Sequence, residues 1–157
     1  MTGLAQAHSA AKTLNAKPID LIVCSPLIRA LKTAAIISEE IRRPIRVDSE
    51  LKEQSFGSFE GLVLNDLKRS LGLGPHQRLT GHLPPDAEQS PETYSRAIAV
   101  LSRWLAKFAG RKLLFVAHAG LFDSLHELMF GSRLEPNHEP YVFEPCKGSW
   151  KVRQVVG

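Results

Sequence analysis

Residues 20–34 read Asp20-Leu21-Ile22-Val23-Cys24-Ser25-Pro26-Leu27-Ile28-Arg29-Ala30-Leu31-Lys32-Thr33-Ala34. The run Asp20 to Cys24 is short and apolar without alternation, the pattern of a strand buried on both faces. Ser25-Pro26 then reads as a helix start, with Ser as N-cap and Pro at the first helical position. Leu27, Leu31, Ala34, Ser38 and Ile41 give this helix a buried stripe, and Pro44 stops it. A buried strand feeding directly into a helix is the building unit of a parallel α/β sheet.

The rest of the chain fits around that unit. Upstream, Leu4, Ala7, Ala11 and Leu14 recur at helical spacing. Downstream, Ile45-Arg46-Val47 is a second, weaker strand. Leu51 to Gly61 reads as a loop, and Leu64, Leu67 and Leu71 mark a short helix. The segment Gly72 to Pro91 is rich in Gly and Pro and has no period, and a loop of that length is usually functional or mobile. Ser90-Pro91 repeats the N-cap signal and opens a helix carrying Tyr94, Ala97, Ile98, Leu101, Leu105 and Phe108 on one face. Gly110 ends it. Lys112 to Ala117 is another buried strand, followed by His118-Ala119-Gly120. A helix with Leu121, Phe122, Leu125, Leu128 and Met129 inward comes next, closed by Gly131. Tyr141-Val142-Phe143 and Trp150 to Val155 read as an antiparallel hairpin joined through Lys147-Gly148. The pattern predicts an α/β fold with parallel strands inside and a hairpin late in the chain.

A chain of 157 residues is one domain by length, here 1–157. At 43% hydrophobic residues it can bury a core, which excludes a disordered chain. No apolar stretch approaches the roughly 18 residues of a membrane span. The 20 Lys+Arg against 16 Asp+Glu leave a charge of +4. Basic clusters such as Arg42-Arg43-Pro44-Ile45-Arg46 are short and flanked by Glu39, Glu40 and Asp48, too sparse for a nucleic-acid surface. A mild positive balance does suit a small anionic ligand. Cys24 and Cys146 stand far apart in no metal or redox spacing, which points to a reducing, cytoplasmic compartment, with Cys24 buried and inert. Residues 1–17 show no basic stretch followed by an apolar core, so no secretory signal is read there. His8, His76, His82, His126 and His138 form no metal-ligand pattern, and no Gly-rich dinucleotide loop or phosphate loop occurs. Neither a metal nor an organic cofactor is expected. Ser25 lacks a Gly-x-Ser-x-Gly elbow and reads as a cap, not a nucleophile.

In open α/β sheets, ligands bind beyond the carboxyl ends of the strands. Two strands end there in polar residues leading into helices, at Cys24-Ser25-Pro26 and Ala117-His118-Ala119-Gly120. Helix N-termini carry free N–H groups and partial positive charge, so this edge suits a phosphate. Arg29 in a first helical turn opposes the helix dipole; it either snorkels to solvent or binds an anion. His118 is either a core histidine satisfied by backbone or a ligand, and the small Ala119-Gly120 pair after it favours close approach of a ligand. Glu53 is either a solvated loop charge or a carboxyl whose apolar, Gly-containing surroundings raise its pKa for acid–base work.

Taken in order, these segments resemble the histidine phosphatase superfamily, the phosphoglycerate-mutase-like family. Gly3-Leu4-Ala5-Gln6-Ala7 resembles the end of its Leu-Thr-x-x-Gly-x-x-Gln-Ala helix start. Ser25-Pro26-Leu27-Ile28-Arg29-Ala30 with Thr33-Ala34 is similar to its Ser-Pro-Leu-x-Arg-Ala-x-x-Thr-Ala motif. Leu51, Glu53, Phe56-Gly57 and Phe59-Glu60-Gly61 resemble its Leu-x-Glu-x-x-Phe-Gly-x-Trp-Glu-Gly, with Phe for Trp. Val116-Ala117-His118-Ala119-Gly120 is similar to its Val-Ser-His-Gly-Gly, and Tyr141 to Val155 to its closing strands.

The resemblance implies a three-layer fold, a mostly parallel central sheet flanked by helices, with the family's first strand missing from this sequence. It implies a phosphohistidine mechanism, in which the histidine of an N-terminal Arg-His-Gly attacks the phosphoryl group. Arg29 and His118 would hold the phosphoryl oxygens, Ala119 would add a backbone N–H, and Glu53 would protonate the leaving oxygen and then activate water. The ligand would be a small phosphorylated substrate or inorganic phosphate, and the short chain favours hydrolysis over a mutase reaction. Residues 1–157 contain no Arg-His-Gly, so turnover by them alone is expected to be very low or absent. The alternative is a non-catalytic phosphate-binding or interaction protein. His76, Arg78 and His82 in the Gly72–Pro91 loop either meet a second anionic group or are solvated. Without the family's first strand, backbone groups of the His118 strand would lack partners, so a homodimer or larger assembly is expected.

Overall fold

Strand β1 (Leu21–Cys24) is buried at all four positions because it has a parallel strand on each side. The structure, a computed structural model, describes residues 3–79, 81–131, 141–146 and 149–154. Ile22 of β1 lies opposite Ile45 of β2 (Ile45–Val47) and Leu114 of β3 (Leu113–Val116), giving the sheet order β2-β1-β3. Alternate side chains of β1 point to opposite faces. Ile22 and Cys24 pack with Ala11 and Leu14 of α1 (Gly3–Asn15) and with Ala34 and Ile37 of α2 (Ile28–Ile41). Leu21 and Val23 pack instead with Leu51 and with Val100, Trp104 and Phe108 at α4 (Ser90–Lys107). Helices therefore cover both faces of the parallel sheet, and α5 (Ala119–Phe130) packs on α4 through Leu121 and Leu125 against Ala97 and Leu101. This is the three-layer arrangement that the resemblance implies, built on the parallel strands that the strand–helix alternation predicts.

Four local expectations are corrected. Helix α2 begins at Ile28 with Leu27 as N-cap, not at Ser25-Pro26. Ser25 is fully buried and continues the sheet, its amide donating to the Val116 carbonyl at 3.0 Å, while its Oγ accepts the Leu27 N–H at 3.2 Å. The buried face of α2 is accordingly Ala30, Ala34 and Ile37, with Leu31 and Ile41 half-buried. In α1 the buried stripe is Ala7, Ala11 and Leu14, and Leu4 stands 61% exposed. Helix α4 takes Gln89 as its N-cap, because Glu92 reaches back to accept the Gln89 amide at 2.8 Å; Ser90 and Pro91 are its first two residues. Strand β3 is only half-buried, since among the described residues it pairs with β1 alone.

Two short 3₁₀ turns, Ser49–Leu51 and Gly57–Phe59, and helix α3 (Leu64–Ser70) connect β2 to the long segment 71–89, which holds neither helix nor strand among its described residues. Gly131 ends α5 in the left-handed conformation, φ 68°. Strands β4 (Tyr141–Cys146) and β5 (Ser149–Gln154) form an antiparallel sheet of their own, with Phe143 opposite Val152. Val155, the proposed turn at Lys147-Gly148 and the side chain of Leu128 lie outside the described residues. Among the described residues no helix is long and apolar enough to cross a membrane.

Candidate active site

The parallel register places Cys24 opposite Val116, so the residues just beyond the two strands are neighbours. Ser25 and His118 meet there: His118 Nε2 lies 2.7 Å from Ser25 Oγ, and both residues are buried. Arg29, in the first turn of α2, donates from Nε to His118 Nδ1 at 3.2 Å. An arginine can only donate, so Nδ1 is the accepting nitrogen and Nε2 carries the proton. His118 therefore donates to Ser25 Oγ and cannot serve it as a base. Burial, then the charges of Arg29 and Arg96, lower the His118 pKa to about 4, so the imidazole is neutral at pH 7.

Glu53 arrives from the 49–61 loop. Its carboxylate accepts the Gln54 amide at 3.0 Å and faces the amides of Gly120 and Leu121 in the first turn of α5. Burial raises its pKa; the amides of Gln54, Gly120 and Leu121 and the charge of Arg29 oppose the rise without cancelling it. A methyl group at Gly120 would sit 2.6 Å from Glu53 Oε1, so the absent side chain is what lets the carboxylate rest on the helix N-terminus. Ala119, the first residue of α5, is exposed beside it, and His118 is the N-cap residue, in extended conformation with no side-chain cap.

Reach from the loop to α5 depends on a half-buried ion pair that sequence patterns do not reveal. Arg96 Nε and Nη2 each bind a Glu88 carboxylate oxygen at 2.7 Å, and Nη1 binds the carbonyls of Glu50 at 2.6 Å and Lys52 at 3.0 Å. Gln54 donates from Nε2 to the Glu88 carbonyl at 2.7 Å, and the Glu88 amide returns to the Ser55 carbonyl at 3.0 Å. Backbone on both sides of Glu53 is thus tied to α4 and to the 84–89 segment. Gly57, at φ 56°, has Asp86 and Ala87 backbone atoms 2.7 Å from where a Cβ would stand, so these two loops touch through a glycine.

A cavity of about 350 Å³ opens beside Glu53 and Ala119, with Phe56, Lys68, Arg78 and Asp123 also in its wall. Arg78 is ion-paired with Asp123 there, whereas His76 and His82 are exposed. Of the residues singled out in the sequence, Arg29, Glu53, His118 and Ala119 come together. Ser25, Arg96, Glu88 and Asp123 join them. Ser25 follows a strand and was legible as polar punctuation; Arg96 falls on the polar face of an amphipathic helix, where nothing in the sequence separates it from a solvated charge. Cys24 is buried, which raises its thiol pKa, and it does not belong to this group.

The sequence matches the family model described as histidine phosphatase superfamily (branch 1) over residues 1–151. A Bacillus subtilis (strain 168) protein named as the uncharacterized phosphatase PhoE is 30% identical over 124 residues, 79% of this chain and 60% of that protein. The chain thus spans about three fifths of the length of that relative. Among solved structures, Bacillus stearothermophilus YhfR superposes with a TM-score of 0.81 over 96% of this chain and 80% of its own, at 22% identity. A mycobacterial glucosyl-3-phosphoglycerate phosphatase in complex with inorganic phosphate superposes with a TM-score of 0.67 over 82% of this chain and 67% of its own, at 27% identity.

Proposed function

Because the chain belongs to the histidine phosphatase superfamily, we propose that Arg29, Glu53, His118 and Ala119 form a phosphoryl site for inorganic phosphate and small phosphomonoesters. The observation that carries this reading is the Arg29 Nε–His118 Nδ1 bond of 3.2 Å beside a carboxyl of raised pKa, all at the N-terminus of α5. The phosphate complex of the mycobacterial phosphatase supports the choice of ligand. The Ala119 amide and Arg29 hold phosphoryl oxygens; as Arg29 turns its Nε–H from His118 Nδ1 to the dianion, Nδ1 takes up a proton and the imidazolium donates from it to the phosphoryl group, keeping its Nε2–H on Ser25. Where a histidine of Arg-His-Gly precedes the chain, its ring nitrogen forms a P–N bond as the ester P–O bond breaks and Glu53 gives its proton to the leaving alkoxide; Glu53 then accepts a proton from the water that attacks phosphorus as the P–N bond breaks and the histidine is released. No metal or organic cofactor enters this scheme. The match over residues 1–151 is in keeping with one domain, and the two separated cysteines with a cytoplasmic setting.

The covalent step belongs to the histidine of Arg-His-Gly in this family, a motif that residues 1–157 do not contain. We therefore assign the 1–157 polypeptide phosphate binding with very low or no turnover, and hydrolysis to the same polypeptide preceded by a strand ending in Arg-His-Gly. Calorimetry with phosphate is expected to show affinity falling about 10- to 100-fold in Arg29→Ala, the range of a lost charge-assisted bond. Equal affinity in both proteins would remove the site. An aryl-phosphate assay should find activity only in the extended polypeptide, and activity in neither would count against the enzyme reading.

Assembly follows from the sheet. Among the described residues β3 has a partner on one side only, which leaves a row of backbone donors and acceptors open to pairing. The 1–157 polypeptide is expected to scatter light as a homodimer or larger at micromolar concentration. A monomer with strong amide-exchange protection at 113–117 would show the opposite.

A further inference from the structure

Sheet packing alone would place an apolar residue at position 25. Ser25 extends β1, its amide on the Val116 carbonyl at 3.0 Å, and has no exposed surface. A buried hydroxyl costs free energy unless it is bonded, and Ser25 Oγ meets two donors. The Leu27 N–H at 3.2 Å closes the turn into α2, an ordinary use of a serine before a helix. That turn has no need of the second contact, His118 Nε2 at 2.7 Å, which joins residues 93 apart in the chain and lies at the short end of the hydrogen-bond range. The charged groups that act on the ring are Arg29 from α2 and Arg96 from α4, and both oppose a positive charge there. Glu53, from the 49–61 loop, is turned to the amides of Gly120 and Leu121 instead. An anion in the site is what can favour the imidazolium.

We infer that Ser25 is a positioning residue of the phosphoryl site: its hydroxyl oxygen accepts the Nε2–H of His118 in both the neutral and the charged ring, and so keeps Nδ1 aimed at the phosphoryl group. The inference rests on the site proposed above and names the residue that lets its histidine change charge. A neutral imidazole has one N–H and one bare nitrogen, whereas an imidazolium has two N–H donors. In the free protein the bare nitrogen, Nδ1, accepts from Arg29. Once an anion draws a proton onto Nδ1, the buried ring needs an acceptor at both nitrogens. A phosphoryl oxygen is one, and Ser25 Oγ is the other. Without the hydroxyl oxygen the Nε2–H loses its partner inside the protein, and the ring either stays neutral or turns away from the anion.

Nitrogen-15 NMR of histidine-labelled protein at pH 7 tests this without requiring turnover, because it reads the two ring nitrogens separately; His118→Gln assigns the signals. In the free unaltered chain Nε2 is expected to carry the proton and Nδ1 to be bare. Saturating inorganic phosphate should protonate Nδ1 and leave Nε2 protonated. In Ser25→Ala phosphate should leave Nδ1 bare, and calorimetry should show phosphate affinity lower by about tenfold, the size of one lost charge-assisted bond. A serine that only closed the turn into α2 would leave these signals unmoved. Two results on the unaltered chain overturn the inference whether or not the variant folds: Nδ1 protonated and Nε2 bare in the free protein, or Nδ1 still bare when phosphate is bound. An alanine variant in which phosphate protonates Nδ1, or binds with unaltered affinity, overturns it as well. All of these leave the anion site standing. Failure of the unaltered chain to bind phosphate would overturn the phosphoryl site, and the inference with it.

Discussion

Replacing Arg96 with alanine is expected to destabilise the protein by about 1–3 kcal/mol, between the worth of an exposed pair and the cost of stranding one member of a fully buried one. The side chains of Arg96 and Glu88 are only 11% and 16% exposed, and the two are joined by a bidentate contact at 2.7 Å. The same guanidinium also holds the Glu50 and Lys52 carbonyls, so its loss removes a partner from a carboxylate and from two backbone acceptors together. For a typical domain stability of about 5–15 kcal/mol this is a large fraction. Burial pushes the Glu88 carboxyl up, but Arg96, the Ser55 amide and Lys52 outweigh it and bring the pKa below its ordinary 4.5. A depressed carboxyl contributes stability above pH 4.5 that is lost as pH falls through its folded pKa. Without Arg96, burial is left to act, and the acid limb of unfolding should move to higher pH. Urea unfolding of Arg96→Ala, Glu88→Ala and the double variant would measure the coupling. A coupling energy within the range of exposed pairs, below about 1 kcal/mol, would show that the pair does not hold the Glu53 loop.

Between pH 6.5 and 5 the folded protein should lose about 1.5 kcal/mol of stability through His118 alone. Its pKa is lowered from 6.5 to about 4, first by burial and then by Arg29 and Arg96. The unfolded chain takes up the proton as pH falls through 6.5, whereas the folded chain does not until about pH 4, so stability is present above 6.5 and declines across the interval. Stopping at pH 5 keeps most carboxylates out of the measurement. The variant His118→Gln should flatten this part of the profile relative to the unaltered chain. Identical slopes in the two proteins would mean that His118 keeps an ordinary pKa. Saturating phosphate should also flatten the slope, because an anion beside Arg29 favours the imidazolium.

These two residues differ in how visible they are in the sequence. His118 ends an apolar strand and precedes a small Ala119-Gly120 pair, a juxtaposition that already suggests a ligand edge. Arg96 sits among Ser95, Arg103 and Lys107 on a helix whose polar residues all carry the same pattern. Only the approach of the 84–89 segment makes one of them a half-buried anchor. The starts of α2 and α4 show a similar division. Ser-Pro is a local helix-start signal in both places, yet Ser25 is taken by the sheet and by His118, and Glu92 moves the N-cap of α4 to Gln89. A local preference worth about 1 kcal/mol yields to contacts made by residues far along the chain.

The sequence by itself determined the order of strands and helices, the parallel α/β class, and the polar strand-to-helix edge at Ser25 and His118, because apolar periodicity and Gly/Pro punctuation act over a few neighbouring residues; Glu53 was joined to that edge only by the family resemblance. Tertiary structure alone decided which nitrogen of His118 carries the proton, that Glu53 rests on the first turn of α5, and that Arg78 is taken up by Asp123. Each of these depends on groups up to 93 residues apart in the chain meeting within hydrogen-bond or packing distance, and no short-range pattern encodes such a meeting.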